Sequence, residues 1–426
     1  MHKFKMLCLI FFFVVGGTIS TQAQSSVQLT LDNCYTLARQ NYPLIRQKEL
    51  LVKSMEFTIA NVKSGYLPQV SISAQATYQS EVTKIPFSAP GVDIKPLSKD
   101  QYKIAGEINQ NIFDGGAVKS QTTIQRASSQ VEQQKLEVEL YKIKDRINQI
   151  YFGVLLMEAQ LTQIELLKKD LQTSLLKTES GIRNGIAFKT GADIIRAEIL
   201  KSDQRAIEIN TARSMYLDML GYFINQSLTE GTTLEIPQPI SPEPSNTIKR
   251  PEINLYQFQN DLLGAQFKSI TTRNLPRVGA FLQGGYGRPA LNLLRNEFDF
   301  YYLGGVRLNW SLSGLYNSNR EKQLLDVNTQ NINTQKETFF FNTNLILKQQ
   351  GREVEKLNEL IKIDEQIISL RTTIKSTSQA QYDNGVISTN DLLKELNAED
   401  AAKQNLIYHR IQLLLAQYNY QTTLGN

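Results

Sequence analysis

Reactive side chains are scarce in this chain. Its 426 residues hold two cysteines, two histidines and one tryptophan. His2 and Cys8 fall within residues 1–24, which read as a secretory signal peptide. Lys3 and Lys5 give a basic start, Leu7 to Val15 an apolar stretch, and Thr21-Gln22-Ala23 a cleavage-type end before Gln24. That apolar stretch is too short to anchor the protein across a bilayer. Without the leader, Cys34 and His409 stand alone. One thiol excludes an intrachain disulfide, and it leaves no nucleophile–base pair to propose. No cluster has metal-ligand spacing, and no cofactor is implied. Cys34 sits in an apolar-periodic segment and reads as a small core residue. His409, beside Arg410, reads as a solvated or inter-helix residue.

Long hydrophobic runs are missing too. After the leader no stretch has the roughly 18 continuous apolar residues of a spanning helix. An exported chain of this kind is soluble, peripheral or a β-barrel. Charge of one sign is also lacking. The net charge of +5 falls to +3 once Lys3 and Lys5 leave, too mild for a nucleic-acid binder. Gly285-Tyr-Gly287 starts like a dinucleotide fingerprint, but it lies within a strand pattern with no helix after it. An enzymatic site is therefore not expected.

What the chain does have is length of pattern. Tyr102 to Phe113 alternates as a half-buried strand, and Asp114-Gly115-Gly116 breaks it. A helical pattern free of proline then runs from Ala117 to Arg183, roughly 100 Å of helix at 1.5 Å per residue. Apolar residues at 136, 140, 143, 147, 150, 154, 157, 161 and 164 step by four and three. That predicts a coiled-coil seam, narrower than the stripe of an ordinary globular helix. Gly153 is the one interruption in the pattern.

The same organisation occurs twice. Residues 25–228 form a first repeat: a helix from Leu31 to about Tyr66 kinked at Pro43, a strand pair within 69–113, the long helix 117–183 and a return helix 193–228. Residues 229–250, with Pro237, Pro239, Pro242 and Pro244, form a linker. Residues 251–426 repeat the plan: a helix to Leu275, a strand pair within 277–312, a long helix 315–383 interrupted at Gly351, and a return helix 391–424. Pro43 to Pro68 and Pro251 to Pro276 are both 25 residues apart; Asn109 to Gly185 and Asn309 to Gly385 are both 76. Two matching intervals identify a duplication within one fold.

The strands alternate apolar and polar residues. Val70 and Ile72 share one face of the first strand; Phe300, Tyr302, Leu308 and Trp310 share one face of the last. Apolar-out, polar-in alternation with aromatics near the ends is the signature of a membrane β-barrel with those residues toward lipid. Four strands cannot close such a barrel and an open edge cannot stay unpaired in lipid, so copies must combine; three would give twelve strands. The opposing reading is a soluble periplasmic coiled-coil scaffold or adaptor. Adaptors, however, carry one α-hairpin between β-rich modules, and here each of two equal hairpins is fed by a strand pair.

Taken in order, several short motifs resemble the TolC-type outer-membrane factors, over nearly the whole mature chain. They are Leu29-Thr-Leu-Asp-Asn-Cys-Tyr-Thr-Leu-Ala, Tyr66-Leu-Pro, Arg250-Pro-Glu-Ile, Tyr382-Asp-Asn-Gly385, Ala416-Gln-Tyr-Asn-Tyr420 and Thr423-Leu-Gly425. The resemblance implies a homotrimer with a twelve-stranded barrel in the outer membrane and a helical barrel across the periplasm. It implies partners as well: a periplasmic adaptor and an inner-membrane transporter of a tripartite efflux pump or type I secretion system. Docking is then expected at the tips, at Asn184, Gly185, Asn384 and Gly385. The channel for which the family is named closes its tip with a tyrosine, an arginine and two aspartates. Tyr382 and Asp391 match the tyrosine and one aspartate. Ile387 and Lys394 stand where the arginine and the second aspartate would be, so the periplasmic gate expected here is Tyr382, Asp391 and Lys394. Ser388-x-x-Asp391 and Thr190-x-x-Asp193 also read as capping boxes that open the return helices.

Overall fold

The computed structural model describes residues 29–83, 96–240 and 247–426. The signal peptide expected at 1–24 lies outside them. Helix α1 (Leu31–Asn41) is opened by Thr30, whose hydroxyl accepts from the Asn33 amide at 3.2 Å. Pro43 stops it, since proline cannot continue the hydrogen-bond ladder. A 3-10 turn (Pro43–Arg46) then leads into α2 (Gln47–Lys63).

Four strands follow the alternating segments: β1 (Gln69–Tyr78), β2 (Asp100–Phe113), β3 (Arg277–Arg288) and β4 (Asp299–Asn309). They form one antiparallel sheet in the order β1-β2-β3-β4. The last strand ends at Asn309 rather than 312. Trp310 leaves the ladder and its indole N–H donates to the Asn274 carbonyl at 3.0 Å.

The long helix of the first repeat is α3 (Ala117–Tyr141) and α4 (Ile143–Arg183), with its one irregularity at Lys142. Gly153 does not interrupt it; the missing side chain admits the Tyr216 ring, whose nearest atoms would lie 3.0 Å from a Cβ. In the second repeat α7 (Gly314–Asp383) runs 70 residues without a break, through Gly351. A lone glycine costs a helix only about 1 kcal/mol against alanine, too little to end one this long. The return helices are α5 (Lys189–Ile224) and α8 (Thr389–Leu424), so the first begins and ends four residues earlier than the sequence pattern indicated. Helix α6 (Pro251–Arg273) completes the set.

These elements stand in four columns. Above, toward the sheet, the neighbours run α2, α3, α6, α7, the same order as the strands they join. Below, toward the hairpin tips, they run α5, α4, α8, α7. Two columns are made by stacking helix ends. Where α5 ends, the Asn41 side chain donates to the Ile224 carbonyl at 3.0 Å. Where α8 ends, the Lys249 amide donates to the Leu424 carbonyl at 2.6 Å. Both ends use a left-handed residue, Asn225 and Gly425. At Gly425 a Cβ would lie 2.4 Å from the Lys249 carbonyl carbon, so only glycine fits that joint.

The main core is a belt at these joints. Leu31, Cys34 and Ala38 pack with Ile147, Tyr151, Phe152 and Val154 of α4, and with Leu217, Leu220 and Ile224 of α5. The seam from Leu136 to Ile164 is buried, apart from half-buried Met157 and Leu161. Within the belt, however, Tyr151, Phe152 and Leu155 are buried as well. The narrow-seam expectation fails there because α1, α5 and α8 surround α4. The segment expected as a linker is also tied in: Leu234 is buried and bridges Leu29, and the Tyr151 hydroxyl lies 2.7 Å from the carbonyls of both Leu29 and Glu235. Burial pushes the Cys34 thiol up to about 12, so it stays a neutral core group.

Candidate functional site

The strand register defines two surfaces, since paired residues share a face. Val70 pairs with Ile108, Ile108 with Leu282, and Leu282 with Gly304. Ile72, Ile104, Val278, Tyr286, Phe300, Tyr302 and Leu308 fall on the same side. Of these, Val70, Ile72, Phe300, Tyr302 and Leu308 are 65–81 % exposed, a density of bare apolar side chains that water would penalise. The strands are 10 to 14 residues long. At about 3.3 Å per residue and a tilt of about 40°, that spans the ~25 Å apolar band of an outer-membrane barrel.

The other face is polar, with Gln69, Ser71, Ser73, Gln75, Lys103, Glu107, Gln283, Arg307 and Asn309. Its two large aromatics are roofed by cations: the Lys103 ammonium lies 4.9 Å from the Tyr301 ring centre, and the Arg307 guanidinium 4.6 Å from that of Phe281. Arg307 also stands 3.8 Å from Glu107. Tyr301 explains the glycine at 285, because its hydroxyl would lie 2.5 Å from a Cβ there; at Gly287 a Cβ would lie 2.7 Å from the Tyr102 carbonyl oxygen of the neighbouring strand.

At the far end the two hairpins turn alike. Asn184 and Asn384 close the long helices; Gly185 and Gly385 follow with φ of 77° and 71°. The amides of Ile186 and Val386 reach back to the carbonyls of Gly181 and Gln381, which makes each turn a Schellman motif. Past the turn the copies diverge. Ser388 caps α8, its hydroxyl accepting from the Asp391 amide at 3.3 Å while the Asp391 carboxylate accepts from the Ser388 amide at 3.1 Å. No such box opens α5. That helix begins at Lys189, so Thr190 lies inside the first turn and the capping position holds Phe188, which has no acceptor. Asp193 pairs instead with Arg196 at 2.8 Å.

Tyr382 joins the hairpins, its hydroxyl 2.7 Å from that of Thr178 on α4 and 3.3 Å from that of Thr389. Asp391 and Lys394 are exposed. The Ser388 hydroxyl and amide, with Lys394 adding a weaker attraction, hold the Asp391 carboxyl below the ordinary range. Ile387 packs into a lower apolar cluster with Leu171, Ile195 and Leu392. The sequence pattern missed the ionic ties between the hairpins, since they join residues more than 200 positions apart. Lys177 meets Asp383 at 2.7 Å and Lys375 meets Asp170 at 2.5 Å across the hairpins, while Lys375 also meets Glu399 of its own hairpin at 3.0 Å. Burial opposes the charge on Lys375, but these two carboxylates outweigh it and raise its pKa.

A four-strand sheet with one apolar face, set on paired helices about 100 Å long, is the protomer fold of an outer-membrane channel. Residues 34–216 match the model of the outer membrane efflux protein family. The fold is shared well beyond that stretch. The crystal structures of CusC align with 94 % of this chain and 93 % of theirs, at 13 % identity and a TM-score of 0.68. VceC from Vibrio cholerae aligns with 93 % of this chain and 96 % of its own, at 12 % identity and a TM-score of 0.65. The open state of the Neisseria gonorrhoeae MtrE channel aligns over 93 % and 89 %, at 12 % identity and a TM-score of 0.63. No curated protein matches the sequence. The resemblance to TolC-type channels therefore holds for the fold, which is shared with solved outer-membrane channels over nearly the whole described chain.

Proposed function

We propose that the chain forms a homotrimer that serves as the passive exit duct of a tripartite efflux pump or type I secretion system. One observation carries this reading: the four columns are open at both sides on all three levels. The sheet ends in β1 and β4, the upper helices in α2 and α7, and the lower helices in α5 and α7. Exposed apolar residues mark the helical edges, among them Leu50 and Phe57 on α2, Leu200 and Ile207 on α5, and Leu324 and Leu370 on α7. Joining the α7 side of one copy to the α2 and α5 side of the next covers these edges and pairs β4 with β1. Three copies then close a twelve-stranded barrel, which leaves no unpaired backbone in lipid. A soluble scaffold would leave the apolar sheet face in water.

At the periplasmic end the duct is gated by Tyr382, Asp391 and Lys394, and the adaptor docks on the tips at Asn184, Gly185, Asn384 and Gly385, passing substrate from an inner-membrane transporter. Heat-dissociable trimers in the outer-membrane fraction that conduct in planar bilayers are expected. Recovery as a soluble periplasmic protein would overturn the reading. Three Asp391 carboxylates around one axis would attract multivalent cations, so block from the periplasmic side should weaken at high salt and in Asp391→Asn. If Asp391→Asn lowers only thermal stability, the residue is a helix cap and the gate lies elsewhere.

A further inference from the structure

The helices leave the sheet at Phe113 and Asn309, so the opposite end, at Tyr78, Asp100, Arg288 and Asp299, lies in the outer leaflet. This inference rests on the membrane reading of the sheet. On the lipid side of that end the strands leave an open groove of about 420 Å³. Its apolar lining comes from Ala74 and Ala76, Ile104, Tyr286 and Phe298, and Tyr102 stands at its upper end. Arg288 pairs across the strands with Tyr102, on the same face. Its guanidinium lies beside a pair of neighbouring rings, 5.6 Å from the Tyr102 centre and 5.2 Å from that of Phe298. One terminal nitrogen is bonded to the Asp100 carboxylate, while the buried Nε has no hydrogen-bond partner among the described residues.

An arginine oriented by two rings and a carboxylate, with one donor left unpartnered, suits a planar pair of oxygens, and phosphate supplies them in bidentate fashion. Beneath it the groove is lined by apolar side chains and open to the lipid side, as contact with an alkyl chain requires. The leaflet at this height in an outer membrane consists of acylated, phosphorylated glycolipid. We propose that the groove binds one acyl chain of that glycolipid and that Arg288 holds its phosphate.

The test uses the intact trimer purified from outer membranes, stripped of lipid and titrated in native mass spectrometry with diphosphoryl lipid A. Lipid A should bind the wild type about tenfold more tightly than a dephosphorylated lipid A does. Arg288→Gln should remove that difference, and Arg307→Gln, on the polar face, should leave it intact. Asp100→Asn frees a second donor and should bind at least as tightly as the wild type, which covers the case in which Arg288→Gln fails to assemble. Equal binding by wild type and Arg288→Gln, or weaker binding by Asp100→Asn, would overturn the site. Phosphatidylglycerol binding as tightly as lipid A would overturn the glycolipid assignment. A chain absent from the membrane fraction before any lipid is added fails the channel reading itself.

Discussion

The two long helices are copies in length and opposites in use. Positions 200 apart in sequence hold equivalent places, as the glycines at 185 and 385 and the left-handed ends at 225 and 425 show. Tyr151 in α4 then corresponds to Gly351 in α7, and Ile147 to Leu347. The first member of each pair is fully buried in the belt; at Gly351 a Cβ would meet nothing within 4 Å. Among the described residues α7 buries only Thr343, Val354, Leu357 and Asp364 along 70 residues. Duplication conserved the spacing of turns while burial was redistributed. One copy is the core of its own protomer, and the other offers its surface outward.

The sharpest way to break this contrast is at the paired positions themselves. Tyr151→Ala should cost on the order of 3–5 kcal/mol, by emptying the belt and leaving two carbonyls without their hydroxyl partner. Thermal unfolding of the detergent-solubilised protein would show it, and a small loss would mean that the belt is not the core. Next is the contrast between the sheet faces. Leu308→Arg should cost about 2–4 kcal/mol and impair insertion, whereas Asn309→Arg, its neighbour on the polar face, should be tolerated. Equal tolerance in a membrane-insertion assay would remove the barrel assignment. Smaller still, Gly351→Ala should stabilise by about 0.5–1 kcal/mol through helix propensity alone. Gly153→Ala should destabilise, because the new methyl meets the Tyr216 ring.

The smallest effect is expected from pH, and it separates tip from belt. Across the hairpins, Asp383 is opposed by partial burial, but Lys177 and Gln379 hold its carboxyl low. A depressed folded-state pKa gives stability that is present above the unfolded value of about 4 and lost as pH falls through the folded value. The hairpins should therefore part below about pH 4 while the apolar belt holds. Spin labels on the two tips would report the separation, and Lys177→Met with Lys375→Met should remove its pH dependence. A tip distance that stays constant down to belt unfolding would show that the ion pairs do not hold the hairpins together.

What the sequence made legible was whatever repeats locally. Alternation gave the strands and their faces, turn residues gave the hairpins, and two equal intervals gave the duplication. What it hid was set by partners far along the chain. Gly153 looks like a break until Tyr216 fills the space, and Thr190 looks like a cap until Phe188 takes that position. The helical ladder is irregular at Lys142, where no residue signals it. At the tips, Asn184, Gly185, Asn384 and Gly385 were visible as turns, but Tyr382 as the tie between hairpins required knowing that α4 lies beside it. The belt's all-round burial of Tyr151, Phe152 and Leu155 likewise depends on α1, α5 and α8 arriving together.

The stacked joints carry a mechanical consequence. Of the four columns, two are spliced at the belt and a third has one irregular residue, Lys142, in its helical ladder; α7 runs from the sheet to the tip without a break. A splice resists compression but transmits little torsion, since no helical ladder crosses it. If the tips rotate, the other three columns can yield at the belt, whereas α7 must either flex along its length or turn the foot of β4. In the proposed homotrimer, the stiffness in twist would then rest on three such rods, one from each copy, each at the edge that the proposal joins to the next copy.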